Sequence, residues 1–357
     1  MKVGIIGTGA IGLGSVALLL SLSHKPIFLW SASGKGTHAF KKNKQLISRG
    51  KVEGKFSPSV VKSAKELALK SDIIKLAVPA YAHKSVIDTI SPFIESRHVI
   101  TISSHASFSA LYLSKKLSER KVNPLVIAWG TTILTGNKTG STSVNISSIR
   151  EKVDIATVPQ GRINEGLKVC RNLFGDRFTE REGLLAIALS NLNPQNHLGI
   201  ALCNLTRIEK GEVWEQTINI TPSVARLLEQ LDSERLAIAD ALGLKVRNIF
   251  EHFGLSFNVP LGSVSDMIKS MIENGHKGTG PATLDTRYVI EDVPYGLVPT
   301  VWLGKLTGCP AKLHEAGIIL FNALYERDFF SENKLMPAIN MESMSLNELK
   351  IISFNGV

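Results

Sequence analysis

Apolar positions in residues 1–130 come in short blocks that alternate between two periods. Residues 2–6 (KVGII), 26–30 (PIFLW), 72–78 (DIIKLAV), 99–102 and 125–129 are brief apolar runs, the pattern of strands buried on both faces. Between them, residues 11–22, 60–70, 82–93 and 108–120 carry apolar side chains at helical spacing. Strand and helix in regular alternation predict an α/β domain with a doubly wound parallel sheet. Residues 141–146 and 153–158 alternate as further strands, and 164–174 return to helical spacing.

Beyond residue 180 the period changes. Residues 184–192, 197–209, 222–241, 248–252, 258–272 and 309–324 read as successive helices, and 345–352 as a short terminal one. The expected organisation is a dinucleotide-binding α/β domain over 1–181 and an all-α substrate domain over 182–357. No Pro/Ser-rich linker separates them, so close packing around a cleft is expected.

Length and composition narrow the function. The chain has 357 residues, 44% of them apolar and 20% charged, which excludes wholesale disorder. Three widely spaced cysteines (Cys170, Cys203, Cys309) make no CxxC pair, pointing to a reducing, cytoplasmic setting without a disulfide framework or metal site. The net charge is 41 − 31 = +10. Its densest group is Lys35, Lys41, Lys42 and Lys44, and no nucleic-acid-binding motif accompanies it. Phosphate-bearing cofactors and carboxylate substrates account for the charge as well as a polyanion would. The apolar run after Lys2 resembles a secretion signal, but five glycines interrupt it, and no stretch elsewhere is apolar and long enough to cross a membrane.

Those glycines carry the first chemistry. Gly7-Thr8-Gly9-Ala10-Ile11-Gly12 fits GxGxxG between an expected strand and an expected helix. Gly7 permits the tight turn, Gly9 lets a pyrophosphate approach the backbone, and Gly12 lets helix and sheet close up. Ala10 and Ile11 begin the helix whose free N–H groups face the phosphates. This is the signature of a Rossmann-type domain. The second strand ends in Trp30-Ser31-Ala32-Ser33-Gly34-Lys35, without the acid that holds a 2′-hydroxyl. Ser31, Ser33 and Lys35 suit a 2′-phosphate, so NADP is the expected cofactor, with NAD as the alternative. Pro79 follows the strand at 72–78 and is equally compatible with a place beside the cofactor or with a simple strand stop; His105 is equally compatible with a site residue or a loop histidine.

Two polar clusters interrupt the helical half. Asn191–His197 (NLNPQNH) breaks an apolar stretch at Pro194, and residues 285–299 combine Arg287, Tyr288, Glu291, Asp292 and Tyr295 between turns. An arginine fork fits a carboxylate, and an aspartate beside a histidine would fix its tautomer. Spacing alone does not link Asp292 to His197.

With these residues the chain resembles the opine dehydrogenase family, which includes octopine, nopaline and N-(carboxyethyl)norvaline dehydrogenases. GxGxxG, Asn193-x-x-x-His197 and Arg287-Tyr288…Glu291-Asp292-Val293-Pro294-Tyr295-Gly296 carry the likeness, which spans nearly the whole chain. The resemblance implies reductive condensation of an amino acid with a 2-oxo acid. It implies His197 and Asp292 as the catalytic pair, Asn193 as a site residue and Arg287 as the holder of the oxo-acid carboxylate. The amine, the oxo acid and the stereochemistry stay open, as does a homodimer. A ketopantoate reductase-like or hydroxyacid dehydrogenase-like enzyme is the alternative, although the lysine those enzymes use is missing: none lies between Lys168 and Lys210. A non-catalytic NADP(H)-binding sensor is a second alternative.

Overall fold

A computed structural model describes residues 1–41 and 44–357 of the chain, leaving Lys42 of the basic group outside the described residues. Two compact units are present, one of residues 1–188 with 347–357, the other of residues 189–346.

The first unit is built on an eight-stranded sheet. Its strands are β1 (Val3–Ile6), β2 (Ile27–Trp30), β5 (Ser59–Val60), β6 (Ile73–Leu76), β7 (Val99–Ser103), β8 (Leu125–Trp129), β11 (Val153–Val158) and β12 (Phe178–Glu180). They run in the order β12-β11-β8-β7-β6-β1-β2-β5. Every pairing is parallel except β8 with β11. The chain moves outward from β1 to β2 on one side and from β6 to β8 on the other. β1 and β6 therefore flank the point where the winding reverses, where open α/β sheets bind ligands.

A second, smaller sheet was not anticipated. β3 (Leu46–Gly50), β4 (Gly54–Phe56), β9 (Leu134–Gly140) and β10 (Ser143–Ile149) form a sheet in the order β4-β3-β10-β9. It explains the apolar run near the start of the chain. The helix Ala10–Ser21 is buried from Gly12 to Leu19, with residues of both sheets in one core: Ile5, Ile27 and Leu29 from the large sheet, Leu46, Leu134 and Ile146 from the small one. A helix covered on both sides is apolar all round.

A lysine sits inside this core. Lys75 in β6 is 1% exposed, with Nζ 3.5 Å from the centre of the Trp129 ring. Burial pushes its pKa well below the usual lysine value, which favours the neutral amine.

Two boundaries differ from the expectation. The division falls at Ala188/Leu189, and residues 347–357 rejoin the first unit. The terminal helix Leu346–Asn355 has Leu349 and Ser353 fully buried, and Phe354 lies against Gly183. Val357 N–H donates to Ser114 Oγ at 3.0 Å.

The second unit is helical. The helix Asn193–Cys203 packs with Pro222–Ala241 and Lys312–Tyr325, while Val264–Glu273 and Val298–Thr307 also pack on Pro222–Ala241. Leu198, Leu228, Leu231, Val264, Val301 and Phe321 are buried in it. One bridge, Glu215 with Thr279, ties two loops together.

Candidate active site

In the first unit, backbone geometry shapes the fingerprint. Gly7 has φ +119°, and a Cβ there would come within 2.2 Å of the Ala77 carbonyl oxygen. The turn after β1 is thus pressed onto the segment leaving β6, where exposed Pro79 starts the helix Ala80–Ile90. A Cβ on Gly12 would meet the Gly7 carbonyl oxygen at 2.1 Å, so the helix start closes directly on the turn. Gly9 faces open space: a Cβ there would touch nothing within 4 Å. Gly9 caps the helix without a side-chain bond, so no side chain covers the N–H groups of the first turn, which Ala10, Ile11 and Gly12 begin. These features fit a pyrophosphate.

The segment after β2 lies against the same turn. A Cβ on Gly36 would overlap Thr8 Oγ1, which places the turn Lys35–Thr37 on the fingerprint loop. Ser31 Oγ and Ser33 Oγ stand 3.3 Å apart, and Lys35 is exposed. Two hydroxyls and an ammonium group near an open glycine turn suit a phosphate.

His105 is not a surface loop histidine. It is 2% exposed, with neither ring nitrogen hydrogen-bonded, and burial lowers its pKa to about 3. His83 is 1% exposed and donates from Nε2 to the Val78 carbonyl at 3.1 Å; burial lowers its pKa to about 4. Both fold neutral, whereas unfolded histidines titrate near 6.5. Below that value the unfolded chain binds more protons than the folded one. Their contribution is complete above about pH 6.5, then shrinks as pH falls toward about 4 for His83 and about 3 for His105. Each histidine should cost up to about 1.4 kcal/mol per pH unit in that window. Urea unfolding at pH 7.5 and pH 5 should show the wild type losing more stability than the His83→Asn/His105→Leu variant. Equal losses would contradict this.

In the second unit, Pro194 does not break a helix but starts one. It occupies the first turn of Asn193–Cys203, where its missing N–H costs nothing. Asn193 N–H donates to Asn191 Oδ1 at 3.1 Å. Half-buried Asn193 and His197 lie one turn apart on the same side of this helix. Gln195, on another side, points into the core and donates to Asp232 at 2.9 Å.

The partner of His197 comes from residues 285–299. Thr286 Oγ1 caps the short helix Arg287–Ile290 by accepting from Tyr288 N–H. A π turn, Val293–Leu297, follows, and its Gly296 lies on Pro194; a Cβ there would come within 2.3 Å of the proline ring. This close approach brings Asp292 alongside the helix of His197. His197 Nδ1 is 2.6 Å from Asp292 Oδ2 across 95 positions of sequence, with side chains 14% and 9% exposed. An Nδ1–H donor to the carboxylate leaves Nε2 free to exchange a proton with a bound molecule.

Tyr288 was noted only as one member of its cluster, and Gln216 was not singled out at all. The Tyr288 ring stacks on His197 with centres 3.5 Å apart and planes 8° from parallel. Its hydroxyl donates to Gln216 Oε1 at 2.7 Å. The stack and the carboxylate fix both the plane and the rotation of the imidazole. Arg287 differs from its neighbours: its side chain is 57% exposed, with Nε 4.0 Å from Glu291. So loose a contact leaves the guanidinium available to an anion.

No three His, Cys, Asp or Glu side chains are grouped to hold a metal, and no helix is long and apolar enough to cross a membrane, among the described residues.

Known proteins match both halves. Residues 180–325 match the family model described as the α-helical domain of NAD/NADP octopine/nopaline dehydrogenase, and residues 3–159 match that of ketopantoate reductase. An opine dehydrogenase of Arthrobacter sp. (strain 1C) is 27% identical over 92% of this chain and 92% of its own. A vitopine synthase of Allorhizobium ampelinum is 24% identical over 81% and 80%. An octopine dehydrogenase solved with NADH and L-arginine superposes with a TM-score of 0.81 at 14% identity, covering 100% of this chain and 98% of the other. A yersinopine dehydrogenase with NADP+ reaches 0.70 at 13% identity, covering 99% and 98%. The helical-domain match and the relatives aligned along nearly the full length agree: the chain is an NAD(P)-dependent oxidoreductase similar to the opine dehydrogenases along nearly its whole length.

Proposed function

We propose that this protein joins the amine of an amino acid to the carbonyl of a 2-oxo acid and reduces the resulting imine to a secondary amine with NADPH. The observation that carries this reading is the His197–Asp292 hydrogen bond, which holds a half-shielded imidazole in one orientation with Nε2 free. The relatives support the substrate class: one neighbouring octopine dehydrogenase was solved with L-arginine and another with pyruvate.

The roles follow from chemistry. His197, protonated at Nε2, donates a proton to the carbonyl oxygen as the amine adds, takes a proton back from the amine nitrogen, and returns it to the hydroxyl so that water departs and the protonated imine forms. Asp292 stabilises the imidazolium and keeps Nδ1 protonated. Tyr288 holds the ring flat. Arg287 receives the oxo-acid carboxylate, a positioning role. Asn193, one turn from His197, hydrogen-bonds substrate. Gly7, Gly9, Ala10, Ile11 and Gly12 hold the cofactor pyrophosphate, with Pro79 beside it. The nicotinamide, when bound, supplies the hydride.

Ser31, Ser33 and Lys35 are assigned to the 2′-phosphate, making NADPH the preferred form. Replacing Lys35 by alanine removes one charge-assisted contact, worth about 1.5–3 kcal/mol or roughly ten- to a hundredfold in NADPH affinity. NADH affinity should stay near wild type. Equal loss for both cofactors, measured by nucleotide fluorescence titration, would remove Lys35 from this role.

The experiment for the reaction is NADPH oxidation over a matrix of 2-oxo acids and amino acids, each omitted in turn. Turnover requiring both supports the proposal. The match of residues 3–159 to ketopantoate reductase keeps a second reading, in which the oxo acid alone suffices.

A further inference from the structure

The stack of Tyr288 on His197 needs an outside restraint. The ring centres are 3.5 Å apart with planes 8° from parallel, so the rings overlap almost face to face. Neutral rings favour offset or edge-on contacts over such a sandwich, so the stack does not hold itself. The backbone beneath Tyr288 is slight: one turn of helix, Arg287–Ile290, capped by Thr286. A helix this short is marginal by itself. The far end of the ring is tied by its hydroxyl, which donates to Gln216 Oε1 at 2.7 Å across 72 positions of sequence. Burial raises the pKa of this hydroxyl, which keeps it a donor.

Gln216 is in turn held from several sides. Its N–H donates to the Gly278 carbonyl at 2.5 Å, and Gly278 N–H donates to Thr217 Oγ1 at 3.2 Å. Trp214 Nε1–H donates to the Pro281 carbonyl at 2.8 Å, and Gly280 N–H donates to the Trp214 carbonyl at 3.1 Å. Trp214 and Thr217 are buried. The indole lies so close on Gly280 that a Cβ there would overlap it. Residues 278–281 run on into Thr286 and Tyr288. The two clasped loops therefore carry both ends of the Tyr288–Gln216 bond.

We propose that Gln216 is a positioning residue: through the Tyr288 hydroxyl it holds the phenol ring flat on His197 and so sets the plane of the imidazole for proton transfer. The catalytic part of this rests on the role given to His197 above. Gln216 acts through Tyr288, not on the substrate.

Gln216→Leu should lower kcat about tenfold, the scale of one hydrogen bond, with KM for NADPH and for the oxo acid near wild type. Gln216→Glu keeps an acceptor and should recover most of the loss. Tyr288→Phe removes the same bond from the other side and should match Gln216→Leu. Adding Gln216→Leu to Tyr288→Phe should then cost nothing more, whereas a merely structural loop residue would cost as much in either background.

The tether also has a readout that needs no turnover. In protein carrying isotope-labelled histidine, imidazole protons held over the Tyr288 face resonate upfield, and His197→Ala identifies their signal. That signal should move toward the position of free histidine in Gln216→Leu and Tyr288→Phe, and stay in Gln216→Glu. A wrong reading of the reaction would leave these shifts as they are, so the two failures are distinguishable. Should Gln216→Leu fold poorly, Tyr288→Phe, which keeps the ring, decides by the same signal. An unmoved His197 signal, a further loss when Gln216→Leu is added to Tyr288→Phe, or no recovery in Gln216→Glu would overturn the proposal.

Discussion

Alanine at position 197 is expected to lower kcat by about 10²–10⁴-fold, the usual contribution of a positioned general acid–base. NADPH affinity should be unchanged, because the fingerprint residues lie in the other compact unit. Asp292→Asn should show a comparable loss for a different reason. The amide cannot stabilise the imidazolium, and it can reverse the tautomer so that Nε2 no longer presents the required proton state. The double variant His197→Ala/Asp292→Asn should be little worse than His197→Ala, since the two residues act as a unit. Single-turnover assays with saturating NADPH check this. Near-wild-type turnover of His197→Ala, or fully additive losses, would contradict the pair's role.

The second large effect concerns stability. Asp232 and Arg235 are 1% and 3% exposed in the long helix Pro222–Ala241. Asp232 Oδ1 accepts from Gln195 at 2.9 Å and from Arg235 Nε and Nη2 at 3.0 and 2.7 Å, while Oδ2 accepts from Ile249 N–H at 2.8 Å. Arg235 also donates to the Leu189 and Arg247 carbonyls. Arg235→Met strands a buried carboxylate and two carbonyls, at a cost of about 3–5 kcal/mol. Asp232→Leu/Arg235→Met should recover much of this, because a well-packed apolar pair avoids the uncompensated charge. The network also anchors the helix of His197 through Gln195, so Arg235→Met should lose activity wherever it loses structure. Urea unfolding followed by circular dichroism is the measurement, and a change below about 1 kcal/mol, the scale of an exposed pair, would refute the account.

Sequence legibility followed burial. β1, β2, β6, β7 and β8 are short apolar runs because the large sheet is covered on both faces, and each was readable as a strand. The small sheet was missed in part because its strands lack that pattern. β9 reads LTGNKTG and is exposed over its last four residues, and β4 is GKF with two residues exposed. Glycine and polar side chains there look like loop. The helix at 248–252 proved longer, Ile249–Phe257, with Asn248 and Glu251 forming a capping box that spacing alone did not extend. The terminal helix at 345–352 was readable as a helix, but only its packing on Ser114 and Gly183 shows which unit it joins.

The same contrast holds at the site. GxGxxG is local and could be read in full. His197 and Asp292 are 95 positions apart, joined because Gly296 allows the π turn to press on Pro194. No periodicity encodes that contact; only the resemblance paired them. Gln216 carries no signal at all, since its part depends on where the Tyr288 hydroxyl ends.

The central claim is that hydride reaches a carbon bonded to nitrogen. The direct measurement is mass spectrometry of the product from NADPH deuterated at the transferred position, with an ¹⁵N-labelled amino acid and an unlabelled 2-oxo acid. The account predicts one product carrying both labels, with deuterium on the former carbonyl carbon and ¹⁵N bonded to that carbon. A deuterated 2-hydroxy acid without ¹⁵N would contradict it.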